Sequence, residues 1–98
     1  MTISKERNES ALALALEGRL DTTTSPQLEQ ELADSLDGVK ELTLNMEKLE
    51  YLSSAGLRVL LQAQKRMNKQ GSMKLIHVDE IIMEIFEVTG FSDIRTIE

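Results

Sequence analysis

The octapeptide Tyr51-Leu52-Ser53-Ser54-Ala55-Gly56-Leu57-Arg58 carries the side chains of this sequence best placed for chemistry. Its serines stand between an apolar run, Leu42 to Leu52, and a helical pattern that starts at Leu57. That order predicts a strand, a short turn and a helix. A serine at such a junction is the N-cap or a first-turn residue, with its hydroxyl held at the surface. The helix end adds free backbone N–H groups and the positive end of the macrodipole. A hydroxyl in that field is a plain cap, a nucleophile or a phosphate acceptor.

A second polar junction, Leu20-Asp21-Thr22-Thr23-Thr24-Ser25-Pro26, also leads into a helical pattern. Asp21 is a turn residue or a binding residue. Ser25 as N-cap with Pro26 as the first helical residue fits helix-start chemistry. The lone His77 has no cluster of further ligands around it in sequence and reads as structural. Arg58, Lys65, Arg66 and Lys69 read as a solvated helix face whose Arg58 end lies near Ser54. Met46, Met67, Met73 and Met83 read as core filler.

The elements that must position these junctions follow from periodicity. Ala11 to Leu16 alternates small and large apolar residues, which as a strand puts Leu12, Leu14 and Leu16 on one face. Gly18 follows, and Asn8-Glu9-Ser10 precedes as a turn from a first strand, Ile3 to Arg7. Leu28, Leu32 and Leu36, with Ala33 beside them, predict an amphipathic helix ending near Gly38. Val39 to Met46 reads as a buried strand. Leu57, Leu60, Leu61 and Met67 trace one face of a helix stopped by Gln70-Gly71. Met73 to Val78 is another strand. Asp79 caps a third helix with Ile82, Ile85 and Phe86 inward, and Ile94 to Ile97 closes the chain as a short strand or tail.

The expected order is β-β-α-β-α-β-α-(β): a mixed α/β fold with a four- to five-stranded mixed sheet and helices mainly on one face. Function in such folds sits at the carboxyl ends of the parallel strands. Both polar junctions leave strands there, so they are expected to share one edge.

Composition bounds the partners. The 98 residues suffice for a single domain, residues 1–98, with one modest core. A net charge of −6 and 3% aromatic residues leave little to neutralise phosphates or stack bases, so nucleic acid is not an expected partner. No cysteine is present, which removes disulfides, thiolate catalysis and Cys-ligated zinc. Met1 to Arg7 has no apolar signal-peptide core, and the apolar runs fall far short of the ~20 residues of a membrane span. A soluble, cytoplasmic domain without a cofactor is expected, as a monomer or weak dimer.

Three motifs in order resemble the STAS domain family, and within it the bacterial anti-sigma factor antagonists. Gly18-Arg19-Leu20-Asp21 matches the family's Gly-x-Leu/Phe-Asp turn. Tyr51 to Leu60 matches its aromatic, aliphatic, Asp/Ser, Ser, small, Gly, Leu junction. Phe86-Glu87-Val88-Thr89-Gly90-Phe91 matches its closing pattern. The resemblance covers nearly the whole chain. It implies a partner switch in which the domain binds an anti-sigma factor, a GHKL-type serine kinase, and so frees a sigma factor. The kinase phosphorylates one serine and breaks the complex, and a PP2C-type phosphatase restores it. Aligned on Gly56, the acceptor is Ser54. Position 53, often Asp in the family, is Ser53 here. The implied partner-binding residues are Asp21, Thr22, Ser53, Ser54, Ala55, Gly56 and Arg58.

Two other functions are compatible with the same residues. Some similar domains serve transporters or sensory complexes without phosphorylation. An enzyme would use Ser54 as nucleophile, although position 52 is Leu52 where the Gly-x-Ser-x-Gly elbow needs glycine. It would also require His77 beside Ser54.

Overall fold

A computed structural model describes residues 1–88 and 97–98. Along the chain run β1 (Thr2–Asn8), β2 (Ala11–Leu20), α1 (Ser25–Ser35), β3 (Glu41–Leu52), α2 (Ser54–Gln70), β4 (Ser72–Ile76) and α3 (Glu80–Val88). The sheet order is β1-β2-β3-β4, with β1 antiparallel to β2 and the other pairs parallel. This is the mixed α/β order read from the sequence. The expected final strand falls outside the described residues except for Ile97, which bridges Leu75 in parallel. The third family-like motif is half inside them, with Phe86, Glu87 and Val88 in the last turn of α3 and positions 89–91 outside the described residues.

One face of the sheet makes the core. Leu12, Leu14 and Leu16 of β2 lie beside Leu42, Leu44 and Met46 of β3, all buried. Leu28, Leu32 and Leu36, then Leu57, Leu60 and Met67, then Ile82 and Phe86, cover them from the three helices. On the other face Ala13 is exposed and Ala15, Thr43 and Asn45 are half-buried. The alternation of the hairpin therefore decided its placement, as expected.

Several boundaries differ from the sequence reading. β2 does not stop at Gly18 but runs on to Leu20, because Gly18 takes a φ of +104° inside the strand, open to glycine at little cost. β3 does not stop at Met46 either. Two irregularities in the β2–β3 register each give β3 an extra residue, so its inward positions pass from Met46 to Leu49 and Leu52 at spacing three. This broken alternation hid the second half of β3. The helix α1 ends at Ser35 with Leu36 as its cap, and Gly38 comes later with a φ of +78°. Ala33, expected on the apolar face, is exposed. His77 takes a φ of +56° and ends β4 before Val78. Asp79 caps α3 as expected, its carboxylate accepting from the Ile82 amide at 2.9 Å. Among the described residues no helix is long and apolar enough to cross a membrane.

Candidate functional site at the β2–β3 carboxyl ends

Parallel pairing brings the two polar junctions together. Arg19 pairs with Tyr51 and Leu20 with Leu52, so both strands end side by side. The Ser53 amide then donates to the Leu20 carbonyl at 2.9 Å. The first polar loop is thus tied to the start of α2 by backbone.

The Asp21 loop is braced from within. The Asp21 carboxylate accepts from the amides of Thr23 at 3.0 Å and Thr24 at 3.1 Å. The Thr24 hydroxyl accepts from the Asp21 amide at 2.9 Å and donates to the Arg19 carbonyl at 2.7 Å. The Ser25 hydroxyl donates to the Asp21 carbonyl. Ser25 is therefore not the N-cap: it is the first helical residue, and Thr24 caps without a side-chain bond. Asp21 braces the loop ahead of the helix, its carboxylate reaching the amides two and three residues on, while the first-turn Gln27 amide is met by the Thr24 carbonyl. The Thr24 amide, above all, holds the Asp21 carboxyl below its usual range, with Thr23 and the Arg19 guanidinium adding to it. Asp21 is ionised at neutral pH.

Arg19 and Tyr51 frame the site, and neither was singled out as a site residue from the sequence. The Arg19 guanidinium lies 4.3 Å from the centre of the Tyr51 ring and 3.6 Å from the Asp21 carboxylate. Stacking of this kind contributes about 0.5–1 kcal/mol at an exposed position. The available signal was positional, since each residue stands two places before Asp21 or Ser53 at a strand end.

At the second junction the serines divide the work. Ser53 is the N-cap of α2: its hydroxyl accepts from the Gly56 amide at 3.3 Å and its carbonyl from the Leu57 amide at 2.9 Å. Ser54 is the first helical residue, is exposed, and its hydroxyl has no hydrogen-bond partner among the described residues. Ala55 is half-buried and Arg58, one turn on, is exposed. Gly56 faces inward. A Cβ there would lie 2.7 Å from the Leu20 Cγ, 2.8 Å from the Leu52 Cδ1 and 3.0 Å from the Leu20 carbonyl oxygen. Glycine lets α2 start close against the strand ends, and this sets where Ser54 stands. Thr22 is exposed on the neighbouring loop.

The pair needed by a serine nucleophile does not form. β4 ends at Ile76 opposite Asn45, whereas β3 runs on through Leu52. At about 3.3 Å per residue this places His77 on the order of 20 Å short of the Ser54 end. Among the described residues no group of three His, Cys, Asp or Glu side chains is arranged to hold a metal ion.

Comparison with known proteins agrees with this geometry. The family model for the STAS domain matches residues 2–98. BtrV of Bordetella bronchiseptica, assigned by name as an anti-sigma factor antagonist, is 34% identical over 96 residues, covering 96% of this chain and 83% of BtrV. The anti-sigma-B factor antagonist of Bacillus subtilis is 27% identical over 95 residues, covering 96% of this chain and 87% of that one. Among solved structures, the Bacillus cell fate determinant SpoIIAA in its phosphorylated form superposes with a TM-score of 0.76 at 17% identity. That match covers 99% of this chain and 91% of SpoIIAA, and speaks for a shared fold. With its family model, its relatives and its sheet order in agreement, the chain belongs to the STAS domain family.

Proposed function

We propose that this STAS domain is a cytoplasmic anti-sigma factor antagonist, switched off by phosphorylation of Ser54. The observation that carries the switch is the division of labour at the start of α2. Ser53 holds the cap, so the exposed Ser54 hydroxyl is idle in the fold and available to a kinase. The relatives named as anti-sigma factor antagonists support the antagonist role.

The proposed partner is an anti-sigma factor of the GHKL serine kinase class, which releases a sigma factor when this domain binds. It meets a surface formed by Asp21, Thr22, Ser53, Ser54, Ala55 and Arg58, with Gly56 fixing the approach of α2 from beneath. The kinase transfers the γ-phosphoryl group of ATP to the Ser54 oxygen, ADP leaves, and the hydroxyl proton passes to a base of the kinase. Phosphate adds about −1.5 to −2 charges. A helix N-terminus accepts an anion, so the fold tolerates the mark. A partner that has to bury it faces a desolvated charge beside the ionised Asp21. A loss of ~3 kcal/mol is about a hundredfold in affinity. A PP2C-type phosphatase resets the cycle.

The test is to incubate the purified domain with each GHKL-type kinase of its own genome and Mg-ATP, then measure intact and tryptic masses. One phosphate on Ser54, absent in Ser54→Ala, is the expected result. No phosphate with any kinase would return Ser54 to a helix-start residue without a switch.

A further inference from the structure

The junction surface is small. A stable complex buries about 800 Å² on each partner, and short side chains such as Thr22, Ser53, Ser54 and Ala55 supply little of it. The surface continues, however, down the seam between α1 and α2. These helices both connect parallel strands, so they run alongside each other with their N-termini at the junction end. Between them lies a groove of about 150 Å³. Its floor is apolar, made by Leu32 and Ala33 of α1 with Val59 and Ala63 of α2. It begins one turn beyond the junction, since Val59 follows Ala55 by one turn of α2.

The walls carry opposite charge. On the α1 side stands Glu29, and on the α2 side Arg66. Among the described residues neither makes an ion pair within the domain. Exposed Lys69, one turn beyond Arg66 on the stripe of Gln62 and Arg66, continues the basic wall. Ala33, a small residue turned outward between the walls, leaves the groove open.

We infer that this groove receives an amphipathic helix of the anti-sigma factor, so that docking and the Ser54 switch share one continuous interface. The complementary helix has an apolar stripe at i, i+3/i+4 and i+7 for the floor, acidic residues facing Arg66 and basic residues facing Glu29. The inference rests on the function proposed above and gives that partner a second, separable contact. Docking in the groove binds the kinase, while chemistry stays at Ser54.

The test uses the purified kinase that phosphorylates Ser54, with the full chain carrying Ala33→Arg, which plugs the groove, or Arg66→Glu, which reverses one wall. Urea unfolding confirms that each variant is folded. Calorimetry gives Kd, and steady-state phosphorylation gives KM and kcat. Each variant is expected to raise Kd and KM at least about tenfold with kcat unchanged. Wild-type Kd and KM in both, while Ser54→Asp abolishes binding, would overturn the groove and leave the switch standing. A fall in kcat at constant KM would also overturn it, by placing these residues in the chemistry. A wild-type domain that no kinase binds or phosphorylates removes the proposed function, and the groove with it.

Discussion

The Ser53 amide donates to the Leu20 carbonyl across 2.9 Å, so the strand that delivers Asp21 and the helix that delivers Ser54 are joined at one backbone bond. Side-chain contacts repeat the connection. Gly56 lies against Leu20 and Leu52, and Arg19 bridges from Tyr51 to Asp21. The two loops therefore form one connected corner of the fold.

Asp21 makes that corner sensitive to acid. Its carboxyl is held below the ordinary value, first by the Thr24 amide. A depressed carboxylate contributes stability that is present above its unfolded value, near pH 4, and is lost as pH falls through the lower folded value. Urea unfolding measured from pH 7 down to pH 2 is expected to reveal this loss below about pH 4. Asp21→Asn keeps an oxygen acceptor for the Thr23 and Thr24 amides but does not ionise. The variant is expected to lack this part of the acid dependence, and a wild-type pH profile in the variant would count against the assignment.

The two tightest glycines are expected to respond differently to alanine. At Gly56 a Cβ meets the Leu20 Cγ at 2.7 Å, the Leu52 Cδ1 at 2.8 Å and the Leu20 carbonyl oxygen at 3.0 Å. Alanine gains helix propensity of about 1 kcal/mol but has to push α2 outward, so a net loss of about 1–3 kcal/mol is expected. At Gly71 the same atom would sit 1.9 Å from the Lys40 carbonyl oxygen, which also accepts from the Ser72 amide. The overlap at Gly71 is deeper and falls wholly on backbone, which yields less than leucine side chains do, so Gly71→Ala is expected to cost more than Gly56→Ala in urea unfolding. Only Gly56→Ala should also weaken partner binding by the folded protein, because Gly71 lies at the other end of α2. Equal stability losses would contradict the packing argument.

These contrasts indicate what the sequence carried. The hairpin, the buried Leu12-Leu14-Leu16 face and the leucine stripe of α1 follow from local periodicity, which the sheet and helix preserve. The serine junction was legible because caps have residue preferences, and Ser53 fills that role. The second half of β3 was not legible, since each register irregularity shifts the inward positions and turns alternation into Met46, Leu49, Leu52. The shift of the α1 cap from Ser25 to Thr24, with Asp21 bracing the turn, depends on a loop closing on itself. The Arg19–Tyr51 stack and the α1–α2 groove exist only once the strands are in register and the helices are packed.

Ser53 offers a direct test of capping against switching. Its hydroxyl accepts from the Gly56 amide. Ser53→Ala removes the acceptor and is expected to cost about 1 kcal/mol of stability in urea unfolding. Ser53→Asp supplies a carboxylate cap of equal preference and is expected to retain wild-type stability. Both variants keep the Ser54 hydroxyl and should still take one phosphate. Loss of phosphorylation in both, in folded protein, would transfer the acceptor role to Ser53.

The phosphate on Ser54 should act on the partner and leave the domain intact. Ser54 opens α2, where backbone amides and the macrodipole favour an anion by about 0.3–1 kcal/mol, while the ionised Asp21 nearby opposes it. These effects offset each other, so the free energy of unfolding of the phosphorylated domain is expected to stay within about 1 kcal/mol of the unmodified one. Affinity for the anti-sigma factor is expected to fall about a hundredfold, or ~3 kcal/mol. Urea unfolding and calorimetry on the same phosphorylated sample separate the two quantities. If stability falls as far as affinity, the phosphate works by opening the start of α2, and the electrostatic switch at an unchanged surface is wrong. If affinity alone falls, the Ser53 cap has done what its position suggests: it holds the helix so that Ser54 is free to carry the signal.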